Sequence, residues 1–120
     1  MARIDSQTDA LVGDWLNTAD AADRMGVGTG QIKRMLREHA IVGVERQDEG
    51  LQIPAAFVLD GQILKGLSGT LTLLSDAGYD EVESLRWLFT PDDSLPGPPV
   101  RALAENRGKE VRRRAQALGF

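Results

Sequence analysis

Gln31, Lys33, Arg34 and Arg37 place four long hydrogen-bond donors within seven residues, QIKRMLR. On a helix, Arg37 lies three residues from Arg34 and four from Lys33, so the three cations share one face. Guanidinium and carboxamide groups match base edges bidentately, and lysine and arginine neutralise phosphate. The chemistry implied is contact with a nucleic acid. Gln31 and Arg34 are assigned to base edges and Lys33 and Arg37 to phosphate, with Thr29 at the start of the same segment. Arg46 and Gln47 follow in a second group, with Arg46 assigned to phosphate. Glu45, Asp48 and Glu49 surround them, and carboxylates lie on phosphates only at a cost, so Arg46 and Gln47 alone are expected to reach DNA from there. Lys109, Arg112 and Arg113 stand at i, i+3 and i+4 and form a third group, open to DNA or to a protein partner.

Other chemistries find less support. The chain has no cysteine, which excludes disulfides, thiolate metal sites and cysteine nucleophiles. His39 is the single histidine, and no second one completes a metal site, so a helix-terminal or solvated role fits it better. Asp92 and Asp93 lie in a proline-rich loop that suits capping or solvation. The run Gly26-Val27-Gly28-Thr29-Gly30 lacks the strand before it and the Gly-Lys-Ser/Thr ending of a phosphate loop. Trp87 and Phe89 flank Leu88 and read as core. No catalytic residue, metal site or cofactor is expected, and the chain is not expected to be an enzyme.

The elements that must position these residues follow from local signals. The first ten residues are polar and expected to be flexible, and Leu11, Val12, Trp15 and Leu16 suggest a short lead-in helix. Thr18 is a candidate N-cap for a helix over Ala19–Met25, which Gly26 ends. A second helix runs from Thr29 to about Glu38, with Ile32, Met35 and Leu36 as its buried stripe. Ala22, Gly26 and Ile32 have the spacing of a helix-turn-helix: a small residue where the helices cross, a sharp turn, and a plug between them. Alternation over Val42–Arg46, a tip at Gln47–Gly50 and a return over Leu51–Ile53 form a hairpin, or wing. Pro54 ends the return strand and can open a helical turn over Ala55–Val58, and Asp60-Gly61 is another turn.

The second half reads as helical. Leu67–Asp76 is one helix, and Asp80 with Glu83 has the spacing of a capping box for the next. Val82, Leu85, Leu88 and Phe89 form the stripe of that helix. Thr90–Pro99 is a loop, Pro99 starts a further helix, and after Gly108 a last helix turns Val111, Ala115 and Leu118 inward.

With 120 residues, 42% hydrophobic and 27% charged, the chain is an ordinary globular one of one compact domain or two very small ones. Its net charge of −4 is unevenly spread. Residues 31–46 carry four basic and two acidic groups, and residues 101–114 carry six and two. These local basic stretches keep polyanion binding open despite the acidic total. No apolar run approaches the ~20 residues of a bilayer span and no secretory leader is seen, so a cytoplasmic location is expected.

Helix, turn, helix and a hairpin ending in Ile53-Pro54 resemble the winged helix-turn-helix of the MerR and excisionase class. The segments IPAAFV, LSGTLTLLSDAGYDEVESLRWLFTPDDSL and GKEVRRRAQALGF resemble small actinobacterial DNA-binding regulators first noted as Ser/Thr protein-kinase substrates in mycobacteria. This resemblance spans about Leu16 to Phe120, with RWLFTPDDSL and EVRRRAQALGF its most specific parts. It implies an N-terminal winged helix-turn-helix, a helical C-terminal domain and a Ser/Thr kinase as a partner. The lead-in here is short, so no residue matches the family's phosphorylation site; Ser6 and Thr8 are the nearby hydroxyls. The stretch WLFTPDDSLPGPPVRALAENRGKEV also resembles, more loosely, the partner-binding domain of Xre-MbcA-ParS antitoxins.

The sequence thus predicts a mostly α protein with a small β-hairpin wing. Residues 1–10 form a flexible terminus, 11–59 a winged helix-turn-helix and 60–120 a C-terminal helical domain. The function expected is transcriptional regulation through duplex DNA, with the helix of residues 29–38 in the major groove. The alternative is an interaction module whose C-terminal domain binds a protein partner, in the manner of an antitoxin, or a second copy of the chain.

Overall fold

The computed structural model of the chain describes residues 2–119, with the side chain of Asp48 outside the described set. Helix α1 spans Ser6–Val12, and its N-cap Asp5 accepts a hydrogen bond from the Thr8 amide at 3.2 Å. Strand β1 is Trp15–Asn17. Asn17 then caps helix α2, Thr18–Met25, by accepting from the Asp20 amide at 2.7 Å. Gly26 closes α2 in the left-handed conformation, φ 67° and ψ 33°, which glycine adopts without a Cβ clash. Helix α3 spans Thr29–Arg37. Strands β2, Val44–Arg46, and β3, Gly50–Pro54, form the wing around a single 3-10 turn at Gln47–Glu49.

Strand β3 is the middle of a three-stranded antiparallel sheet, pairing Trp15–Asn17 with Pro54–Gln52 and Val44–Arg46 with Gln52–Gly50. The open edge of β2 is covered by the amino end, through Ile4 N to Glu45 O at 3.2 Å and Glu45 N to Ala2 O at 2.8 Å. After a 3-10 turn at Ala55–Phe57, strands β4, Val58–Leu59, and β5, Gln62–Ile63, make a small hairpin. Helices α4 (Leu67–Asp76), α5 (Glu81–Phe89), α6 (Pro99–Ala104) and α7 (Gly108–Ala117) complete the chain. The capping box at α5 is formed: Glu83 N donates to Asp80 Oδ1 at 2.8 Å and Asp80 N to Glu83 Oε1 at 3.0 Å. The architecture is the expected one, mostly helical with a small sheet carrying a wing.

One core runs through both halves, from Leu16, Ile32, Val44 and Ile53 to Leu67, Leu85, Leu103 and Val111. Phe57, fully buried just after the wing, meets Phe89 of α5 with ring centroids 6.0 Å apart. The wing and the C-terminal helices therefore share packing.

Four expectations change. Residues 1–10, expected to be flexible, contain most of helix α1, and its Thr8 is buried. That helix lies against α5, where Arg86 donates to Thr8 Oγ1 and Asp5 Oδ1, both at 3.3 Å. The Thr8 hydroxyl and the Arg86 charge hold the Asp5 carboxyl below its usual value. This tie therefore contributes fully above pH ~4 and is lost as acid protonates the carboxylate. The cluster Leu11, Val12, Trp15 and Leu16 is not one helix: α1 ends at Val12, and Trp15 and Leu16 are in β1, because β3 offers a strand partner there. The cap of α2 is Asn17, one residue before Thr18. At the other end, Val111 and Ala115 are buried, but Leu118 is exposed because α7 stops at Ala117.

Candidate nucleic-acid interface

Helix α3 is held by its apolar side. Ile32 is fully buried where α3 crosses α2, and Ala21 and Ala22 are small enough to let the helices approach. Met35 and Leu36 pack against the same core as partly buried residues. Holding Ile32 inward turns Lys33, Arg34 and Arg37 outward, and all three are exposed. Among the described residues no carboxylate pairs with any of them. Arg34 Nη2 donates to Gln31 Oε1 at 2.9 Å, so the two groups assigned to base edges are already joined to each other. Thr29 is the first residue of α3 and is exposed; its neighbour Gly28 is the N-cap and supplies no side-chain cap bond.

The wing differs from its expected role. Arg46 Nε and Nη2 donate to the two oxygens of Asp9 in α1 at 2.7 and 3.1 Å, and Nη1 donates to Glu49 at 3.1 Å. The guanidinium also lies 5.1 Å over the Trp15 ring. The hydrogen bond to Asp9 raises its pKa above the ordinary arginine value. Arg46, expected on phosphate, instead bonds Asp9 through two of its nitrogens and Glu49 through the third, and fastens the wing to α1. No local signal links it to Asp9, which is 37 residues away in sequence. Gln47 is exposed at the wing tip in a positive-φ conformation (φ 22°). The side chain of Asp48 lies outside the described residues.

The third basic group does not stay together. Arg113 is exposed. Arg112 instead folds over the starts of α4 and α7, between Gly66 and Gly108. Lys109 shares the rim of a cleft there with Lys65 and Arg107. Nearby, Arg114 fastens the proline-rich loop by donating to Ser94 Oγ at 2.9 Å and Ser94 O at 3.2 Å. In that loop the Ser94 hydroxyl holds the Asp92 carboxyl below its usual value. Asp92 thus serves the loop's own geometry.

Residues 3–58 match the family described as the wHTH domain of DNA-binding protein Rv2175c, and residues 64–119 match the Rv2175c C-terminal domain of unknown function. DNA-binding protein Rv2175c of Mycobacterium tuberculosis (strain ATCC 25618 / H37Rv) is 40% identical over 112 residues, covering 82% of this chain and 76% of that protein. This chain belongs to the Rv2175c family. The NMR structure of Rv2175c superposes with a TM-score of 0.78 at 38% identity, covering 89% of this chain and 82% of the other. The Rv2175c likeness thus takes in the helix-turn-helix, the wing and the C-terminal helices. Among the described residues, no helix is long and apolar enough to cross a membrane, and no group of three His, Asp or Glu side chains is placed to hold a metal ion.

Proposed function

We propose that this chain is a sequence-dependent DNA-binding transcriptional regulator that reads the major groove with α3. Gln31 and Arg34 meet base edges. Lys33 and Arg37 neutralise phosphates, with Thr29 and the wing-tip Gln47 as flanking polar contacts. Residues 11–59 form the reading unit, and α1 braces it. The observation that carries this reading is the face of α3 itself: three exposed cations without carboxylate partners among the described residues, fixed outward by the buried Ile32. Membership of a family described as a DNA-binding protein supports it.

The test is binding to duplex DNA across a salt series. The two α3 cations on phosphate, Lys33 and Arg37, predict a contribution of about −1.8 to the slope of log K against log salt, at roughly −0.9 per neutralised phosphate. No binding to mixed or genomic fragments at low salt would sink this reading.

Arg46 supplies a separate prediction. Arg46→Ala is expected to lower folding stability by about 1–3 kcal/mol, since it removes charged hydrogen bonds and a stacked cation from a partly buried site. The salt slope of DNA binding should stay within about half a unit of the parent value. A slope reduced by about a full unit would return Arg46 to the phosphate contacts.

A further inference from the structure

A cleft of about 580 Å³ lies outside the α3 face. Lys65, Arg107, Lys109 and Arg112 line it, with Glu110 as its single carboxylate. Glu110 stands 4.0 Å from Arg107, which leaves the cleft with a net charge of about +3. Lys65 and Lys109 are exposed and have no carboxylate partner among the described residues.

Helices α4 and α7 both begin at this cleft, and neither has a side-chain cap hydrogen bond. Arg112 is drawn in by missing side chains. A Cβ on Gly66 would stand 3.3 Å from Arg112 Nη1, and one on Gly108 would stand 3.4 Å from it. Gly66 also has φ +88°, which few other residues adopt. Two glycines thus let one guanidinium lie against the backbone where the helices begin. A concave site with an excess of three positive charges, edged by two helix N-termini without side-chain caps, favours a compact multivalent anion.

We propose that this cleft is a phosphate-group site and that it gives the C-terminal domain a binding role. The proposal stands whether or not α3 reads DNA. The phosphate has two sources of the same chemistry: the DNA backbone or a free phosphorylated small molecule. One edge of the cleft, Lys65, lies close along the chain to the end of α2. Gly61 abuts the Arg24 carbonyl at the end of α2, and Lys65 follows four residues later, at most about 14 Å of chain.

The test uses the full chain labelled with ¹⁵N, and a double variant, Lys65→Gln with Lys109→Gln. Both side chains are exposed, and a thermal melt checks that the variant folds. Arg112 is left intact because it packs against the glycines. Pyrophosphate is titrated against sodium chloride at matched ionic strength. Saturating shifts of the Gly66, Leu67, Gly108 and Lys109 amides are expected with pyrophosphate alone, with affinity at least tenfold weaker in the variant. Equal shifts with chloride, or an unchanged affinity in the variant, overturn the proposal.

Duplex DNA then identifies the source. The same amide shifts with duplex, and a salt slope shallower by about 1.8 in the variant, assign the phosphate to the DNA backbone. Saturation by pyrophosphate with no amide shift from bound duplex assigns it to a small molecule. If the parent chain binds no duplex at low salt, the α3 reading fails and the pyrophosphate result alone decides the cleft.

Discussion

Ile32→Ala is expected to lower folding stability by about 2–5 kcal/mol, read as a fall in the urea midpoint at constant slope. Ile32 has no exposed surface and sits between α2 and α3, so its removal leaves a cavity with little freedom to collapse. Helix α3 has nine residues and no side-chain N-cap, and a helix of that length is marginal on its own. Its position therefore rests on burial of this side chain and of Met35 and Leu36. Ile32→Val, which keeps most of the volume, should cost only about 0.5–1.5 kcal/mol. Near-equal losses from the two substitutions would show that packing at Ile32 does not hold α3. DNA affinity should fall with the first substitution even under conditions where the fold survives, because the donors lose their fixed direction.

Arg34→Ala is expected to cost about 1–3 kcal/mol on the preferred site, roughly 5- to 150-fold in affinity, and to relax preference at one base position. Lys33→Ala should instead weaken all sequences about equally and make the salt slope shallower by about 0.9. Competition among sequence-randomised duplexes separates the two. Matching profiles for both variants would show that Arg34 also contacts phosphate. The Gln31–Arg34 hydrogen bond adds a further expectation: the two side chains act as a unit, so the double alanine variant should lose less than the sum of the singles.

These expectations rest on elements that the sequence announces locally. The turn at Gly26 needs a residue free to take positive φ, and the capping box needs an acid at Asp80 with Glu83 three residues on; both signals are complete within four residues. The start of α6 at Pro99 and the span of α4 are readable for the same reason. The face of α3 follows from helical spacing once Ile32 is assigned inward. What sequence reading misses depends on distant partners. Trp15–Asn17 becomes strand because β3, almost forty residues later, pairs with it. Arg46 looks like a free wing cation until Asp9 and Trp15 close on it. The basic stripe on α7 divides because Gly66, far back in sequence, opens a space that Arg112 fills. Spacing along one helix says nothing about a glycine on another.

The two ties of α1 set the order in which the protein completes itself during synthesis. Its contact with Arg46 spans 37 residues, and its contact with Arg86 spans 81 from Asp5. Helix α1 is thus translated well before α5, one of the elements it docks on. At ~5–20 residues per second, Asp5 waits roughly 4–16 s for its partner to be made. Once Pro54 is made, the helix-turn-helix and wing have their own residues but lack, until Arg86, the brace that joins them to the C-terminal half. The amino end therefore closes the fold as a latch rather than seeding it, and a nascent chain arrested before Arg86 leaves that latch open.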